Sequence, residues 1–165
     1  FPSILGMVEN TQLMAALGIK YGQNASSLWY RELSCAPMAC VCSPKHPLAR
    51  YETLTIEQLT GNFITCSPRQ LSDAVFTIQN NIFMTLPPEQ RFVTESIESA
   101  FTLVKAQIGY SLYPDIPNTR DPGLCYIPVT GLPKVSFGIY YQYDHDHPVL
   151  KRFLTLLTRH MEDKT

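Results

Sequence analysis

Charge of either sign is scarce in this chain. Lys and Arg number 13 against 14 Asp and Glu, a net −1 across 165 residues, with no basic stripe. That excludes a chain that grips nucleic acid by its own charge. No uninterrupted apolar run is long enough to span a bilayer, and the start, Phe1-Pro2-Ser3-Ile4, lacks the basic segment of an export signal. A first residue other than Met implies that an upstream part has been left out. The five cysteines, Cys35, Cys40, Cys42, Cys66 and Cys125, are odd in number and irregularly spaced, unlike a disulfide framework. They fit reduced thiols in a cytoplasmic protein. Cys40 and Cys42 would share one strand face with Cys35 nearby, but this spacing matches no common zinc pattern, so core thiols are expected. Also absent are a Gly-x-Ser-x-Gly elbow, a phosphate-binding loop, a dinucleotide-binding glycine fingerprint and a His-Glu-x-x-His pair. The carboxylates pair onto no site, and Cys66 would need a histidine close in space to act as a nucleophile. An enzyme therefore has nothing positive in its favour, and neither cofactor nor metal is implied.

What is present is the composition of a globular chain, 45% apolar and 16% charged. Its length suffices for one domain or two small lobes. Residues 91–114 organise the rest. Phe92 and Val93 favour a strand, and Thr94 and Ser96 are residue types that start helices. Ile97, Ala100, Phe101, Leu103, Val104 and Ala106 then recur at helical spacing. Gly109 ends the helix, and residues 110–113 form a strand stopped by Pro114. A helix that opens off the carboxyl end of a strand offers free amides and a positive dipole end to an anion, at the edge where open α/β sheets bind small molecules.

Around that stretch, residues 3–8 read as an apolar strand buried on both faces. Residues 13–17 read as a short helix stopped at Gly18, and residues 19–21 as a strand. Asn24-Ala25-Ser26 fits a glycosylation sequon, without meaning in a cytoplasmic protein. Residues 29–33 and 38–42 look extended, with residues 34–37 as a crossing between lobes. His46 stands before a proline as a loop residue. Thr55 and Gln58 have the spacing of a capping box. Residues 62–65 suit a strand and 71–84 a helix. Residues 124–129 and 135–143 suit strands, and residues 148–161 an amphipathic helix. His145-Asp146-His147 has the look of a metal triplet, yet Pro148 behind it marks these polar residues as helix caps. Strands alternating with helices predict an α/β fold with mostly parallel sheets.

Several of these stretches, in order, carry a family resemblance: residues 37–49 ending in His46-Pro47-Leu48-Ala49, residues 54–59, Val93-Thr94-Glu95 through Gly109 to Pro114, residues 123–128, and the helix from Pro148. Together they resemble the regulatory domain of LysR-type transcriptional regulators over nearly the whole chain. The resemblance implies an α/β fold of two Rossmann-like lobes of the type II periplasmic-binding-protein kind, joined by two crossover strands. Lobe I would be residues 1–37 and 130–165, and lobe II residues 38–129. It further implies a small-molecule effector, a carboxylate among the candidates, held between the lobes, and a homodimer or homotetramer. DNA would be met only through an N-terminal winged helix-turn-helix not contained here, and the protein would be cytoplasmic. The effector residues carried over are Asn10 and Thr11 after the first strand, Ser67, Pro68 and Arg69 after the first strand of lobe II, and Thr94 and Ser96 at the start of the organising helix. Lobe I departs from the family in lacking the opening strand and helix and in running short around residues 17–29. The alternative is a solute-binding protein of a transport system.

Overall fold

The computed structural model describes residues 2–22, 27–142 and 147–162. The sequon at residues 24–26 and His145-Asp146 of the histidine triplet lie outside the described residues. The chain divides into two compact units, Phe1–Cys35 with Ser136–Thr165 (unit 1) and Ala36–Val135 (unit 2). It passes from one to the other twice.

Unit 2 is built on an open sheet. β3 (Met38–Cys42) lies centrally, every residue buried, and pairs antiparallel with both β6 (Ser111–Pro114) and β7 (Cys125–Pro128). β4 (Phe63–Cys66) and β5 (Arg91–Thr94) are parallel, in the register Phe63↔Arg91 to Cys66↔Thr94. A parallel bridge from Phe63 to Tyr110 ties this pair to β6. Helix α2 (Asp73–Phe83) is capped by Ser72, whose hydroxyl accepts from the Val75 amide, and buries Val75, Ile78 and Ile82 at helical spacing. Helix α3 (Ile97–Lys105) buries Ala100 and Val104 against Val41, Ile64 and Leu124, with Phe92, Phe101 and Tyr113 around them. Burial of a side chain such as Val104 contributes about 1.5–3 kcal/mol, so this contact rather than propensity holds a nine-residue helix. Gly109 is required by close approach: a Cβ there would lie 2.2 Å from the Asn62 carbonyl oxygen.

Unit 1 carries a three-stranded sheet in the order β1 (Ala15–Ile19), β8 (Val135–Tyr141), β2 (Trp29–Ala36). β1 and β8 are antiparallel, Ala15 opposite Tyr141. Helix α1 is Pro2–Glu9 and helix α4 is Pro148–Glu162.

Three sequence expectations are corrected. The segment 3–8 is helical rather than a strand: Leu5 and Val8, three apart, are buried while Ile4 and Met7 face outward, a one-sided stripe concealed in an unbroken apolar run. Residues 15–19 form a strand where a helix ending at Gly18 was expected. Pairing with β8 outweighs the helical preference of Leu and Ala. The first passage between units falls inside the crossing expected at residues 34–37, between Cys35 and Ala36, where the backbone is still strand. Most strand pairs are antiparallel, because the strands adjoining the unit boundaries run against their neighbours; β4–β5 keeps the expected parallel sense.

Candidate functional site

In unit 2 the two turns that follow β4 and β5 meet. The Ser67 amide donates to the Thr94 carbonyl at 2.9 Å, extending the parallel ladder one residue past Cys66. Pro68–Gln70 then turns in a short 3-10 helix, with Pro68 and Arg69 exposed and Ser67 half-buried. The Thr94 hydroxyl lies 3.2 Å from the Thr65 carbonyl and 2.8 Å from that of Ser96. Its proton therefore stays with the backbone while its lone pairs remain acceptors. Thr94 does not cap α3. Ser96 does, accepting from the Ser99 amide at 3.1 Å. Five of the seven residues carried over by resemblance, Ser67, Pro68, Arg69, Thr94 and Ser96, are therefore neighbours at the carboxyl edge of a parallel strand pair beside a helix N-terminus.

A cavity of about 130 Å³ opens beside this edge, between α2 and the strand pair, lined chiefly by Thr65, Cys66, Pro68, Phe76, Phe83 and Val93. Its polar support is Gln79, buried in mid-helix, which accepts from the Thr65 hydroxyl and donates to the Leu112 carbonyl at 2.6 Å. Sequence reasoning passed over Gln79. Its place in the stripe Val75, Ile78, Gln79, Ile82 is the signal, since a polar residue on a buried face needs partners. Burial first, and the Glu98 carboxylate second, push the Cys66 thiol up to about 11, so it remains protonated at neutral pH. His46 caps the 3-10 helix Pro47–Arg50, its Nδ1 accepting from the Leu48 amide at 3.2 Å, and burial lowers its pKa below the usual imidazole range.

In unit 1, Asn10 and Thr11 follow a helix rather than the expected strand. Thr11 adopts φ 60°, its amide donating to the Val8 carbonyl and its hydroxyl to that of Asn10 at 2.7 Å. The last carbonyls of the helix are taken up within unit 1, those of Gly6, Met7 and Val8 by the amides of the turn and that of Glu9 by the Gln142 amide group. Thr11 also lines a cavity of about 370 Å³ with Gln12, Met14, Gln142, His147 and Leu150. His147 accepts at Nδ1 from the Leu150 amide, 3.4 Å, and at its carbonyl from that of Lys151, as a cap does. Among the described residues no group of three or more His, Cys, Asp or Glu could hold a metal ion, and no helix is long and apolar enough to cross a membrane.

Two α/β units with the chain crossing twice between them form a domain of the type II periplasmic-binding-protein kind. The LysR substrate binding domain model matches residues 2–162, and the chain belongs to that family. Comparison with curated protein sequences finds no match. Among solved structures the fold is similar to the effector binding domain of QuiR in complex with shikimate, at 17% identity and TM-score 0.70, covering 98% of this chain and 78% of that one. It is similar also to the BenM effector binding domain with benzoate, at 15% identity and TM-score 0.71, covering 98% and 75%. Full-length BenM matches at 16% identity and TM-score 0.68, where 99% of this chain spans 55% of that protein.

Proposed function

We propose that this chain is the ligand-sensing regulatory domain of a LysR-type transcriptional regulator, and that it binds a small-molecule effector without doing covalent chemistry on it. Within unit 2 the proposed effector contacts are Ser67, Pro68, Arg69, Thr94 and Ser96; within unit 1 they are Asn10 and Thr11. The observation that carries the reading is the Ser67–Thr94 backbone bond, which gathers two turns at the carboxyl ends of parallel strands, where α/β sheets receive ligands. An acceptor hydroxyl, helix amides and the Arg69 guanidinium suit a carboxylate with a neighbouring hydroxyl. Shikimate and benzoate, held by QuiR and BenM, are carboxylates. A ligand acts on such a domain only through its differential affinity for two conformations. We assign the homodimer or homotetramer, the DNA contact through an N-terminal winged helix-turn-helix, and the cytoplasmic location to the regulator as a whole. A transport-type solute-binding protein would share the fold, but the family match favours the regulator.

The test is thermal stabilisation by a panel of small carboxylates. A ligand at about a hundred times its Kd adds about 2.7 kcal/mol. Thr94→Ala should weaken that shift at unchanged circular dichroism. An equal shift in the variant removes Thr94 from the site, and turnover of the compound overturns the reading.

A further inference from the structure

Cys42 stands at the middle of a row that crosses three strands of unit 2. On one side the β3–β7 register sets it opposite Cys125. On the other, continuing the β3–β6 register by one residue beyond Val41↔Ser111 sets it opposite Tyr110. Cys40, two residues earlier, shares the face. Cys40, Cys42 and Tyr110 are fully buried, while Cys125 is partly exposed. The Tyr110 hydroxyl is buried and has no hydrogen-bond partner among the described residues. Its ring is held by Phe63 at 5.4 Å and the edge of His46 at 6.1 Å. A role as small hydrophobes accounts for Cys40, between Leu112 and Ile127. It leaves unexplained two facing thiols, one of them reaching solvent, beside an orphan phenol.

The backbone spacing suits a bond between them. The Val129 amide donates to the Met38 carbonyl at 3.2 Å, so Met38 and Val129 form a hydrogen-bonded pair. Alternation along the ladder makes Cys42 and Cys125, four residues on, a pair of the same type. Such pairs hold their Cα atoms about 5.5 Å apart, inside the disulfide range of about 4.4–6.8 Å. Their Cβ atoms, at the wide end of a range of about 4.5–5.5 Å because the pair is hydrogen-bonded, must close by more than about 1 Å toward the roughly 3.8 Å of a relaxed disulfide. A bond closed that way is strained, and strained disulfides are readily reduced.

We infer that Cys42 and Cys125 are a site of reversible covalent modification, joined into an intramolecular disulfide by a small hydroperoxide. Cys125, reached from solvent, is oxidised first: its sulfur takes one peroxide oxygen, giving the sulfenic acid and one water. The Cys42 sulfur then attacks the sulfenyl sulfur. The S–S bond forms, the S–O bond breaks, and the departing hydroxide takes a proton to become the second water. The two thiols lose two electrons and two protons, and the peroxide is reduced to two waters. The hydrogen bond from Cys40 lowers the Cys42 thiol's pKa below its usual range, which suits it as the attacking thiolate; burial and then the Cys42 charge raise that of Cys125, so its place as the first thiol oxidised rests on its exposure.

The experiment treats the reduced, purified chain with a few equivalents of hydrogen peroxide, alkylates the remaining thiols and maps tryptic peptides. Expected is a linked pair of the peptides 32–45 and 121–134 as the main oxidised species, with fragmentation placing the bond on Cys42 and dithiothreitol reversing it. Cys40→Ser should retain the link, and Cys125→Ser, at a partly exposed position, should abolish it without unfolding the chain. Full alkylation of Cys42 and Cys125 after peroxide, a link through Cys35 or Cys66, or over-oxidation of Cys125 without any link would each overturn the inference. The wild-type map decides the matter even if a variant folds poorly, and it is independent of whether the chain binds an effector.

Discussion

Replacing Gln79 by Leu tests how unit 2 is held together. The Asp115 amide donates to the Pro37 carbonyl at 2.8 Å. By alternation along the ladder, Cys40 and Leu112 are then a non-hydrogen-bonded pair, and the Leu112 carbonyl turns away from β3. Gln79 Nε2 meets that carbonyl at 2.6 Å, while its Oε1 accepts from Thr65. Leucine keeps the volume and removes both bonds. Leu112 is fully buried, so orphaning its carbonyl costs roughly 2 kcal/mol. Thr65 is half-buried, and its hydroxyl can turn to water, so it adds about 1 kcal/mol. The extra apolar burial of leucine returns part of this, leaving a loss of about 2–3 kcal/mol. With a urea slope of about 2 kcal/mol/M, the unfolding midpoint should fall by about 1 M. The one tryptophan, Trp29, belongs to unit 1, so its fluorescence watches the other unit. Hydrogen exchange at the β3 and β6 amides is the suitable assay. Adding Thr65→Val removes one orphan, and the double variant should be less destabilised than the two single losses summed. A Gln79→Leu chain within about 0.5 kcal/mol of wild type, the scatter of an inconsequential surface change, would refute the reasoning. It would mean that the helix glutamine does not complete the sheet.

Three further outcomes follow from the same geometry. Gly109→Ala should cost roughly 3 kcal/mol and lower the melting temperature by several degrees in a thermal scan, since its Cβ would stand 2.2 Å from backbone. Ser96→Ala should remove the cap of α3 for about 1 kcal/mol, whereas Ser96→Asp should restore the stability in urea titration. His46 has a folded pKa below its unfolded value, so the unfolded chain binds the proton more readily. Its stabilising contribution is complete above about pH 6.5 and is lost as pH falls through the folded pKa. His46→Asn, which keeps an acceptor for the Leu48 amide, should flatten that part of the pH profile of urea midpoints.

The α/β class, α2 and α3, and the parallel pair around them are legible in the residues alone. Those features are written in local chemistry: a Ser cap, an apolar stripe at helical spacing, and β-formers at Phe92 and Val93. The sequence also placed Ser67 and Thr94 at strand ends, although not their contact, which needs the register of two strands far apart in the chain. The rest depends on contacts between segments distant in the chain. Residues 3–8 and 13–17 are apolar runs whose composition suits either state, and their partners chose, the buried stripe of Leu5 and Val8 making a helix and pairing with β8 making a strand. Strand direction in the sheets, the service of Gln79 to β6 and the meeting of Cys42 with Cys125 are likewise products of long-range pairing. A periodic pattern fixes which face a residue occupies, but only the assembled sheet fixes what stands across from it.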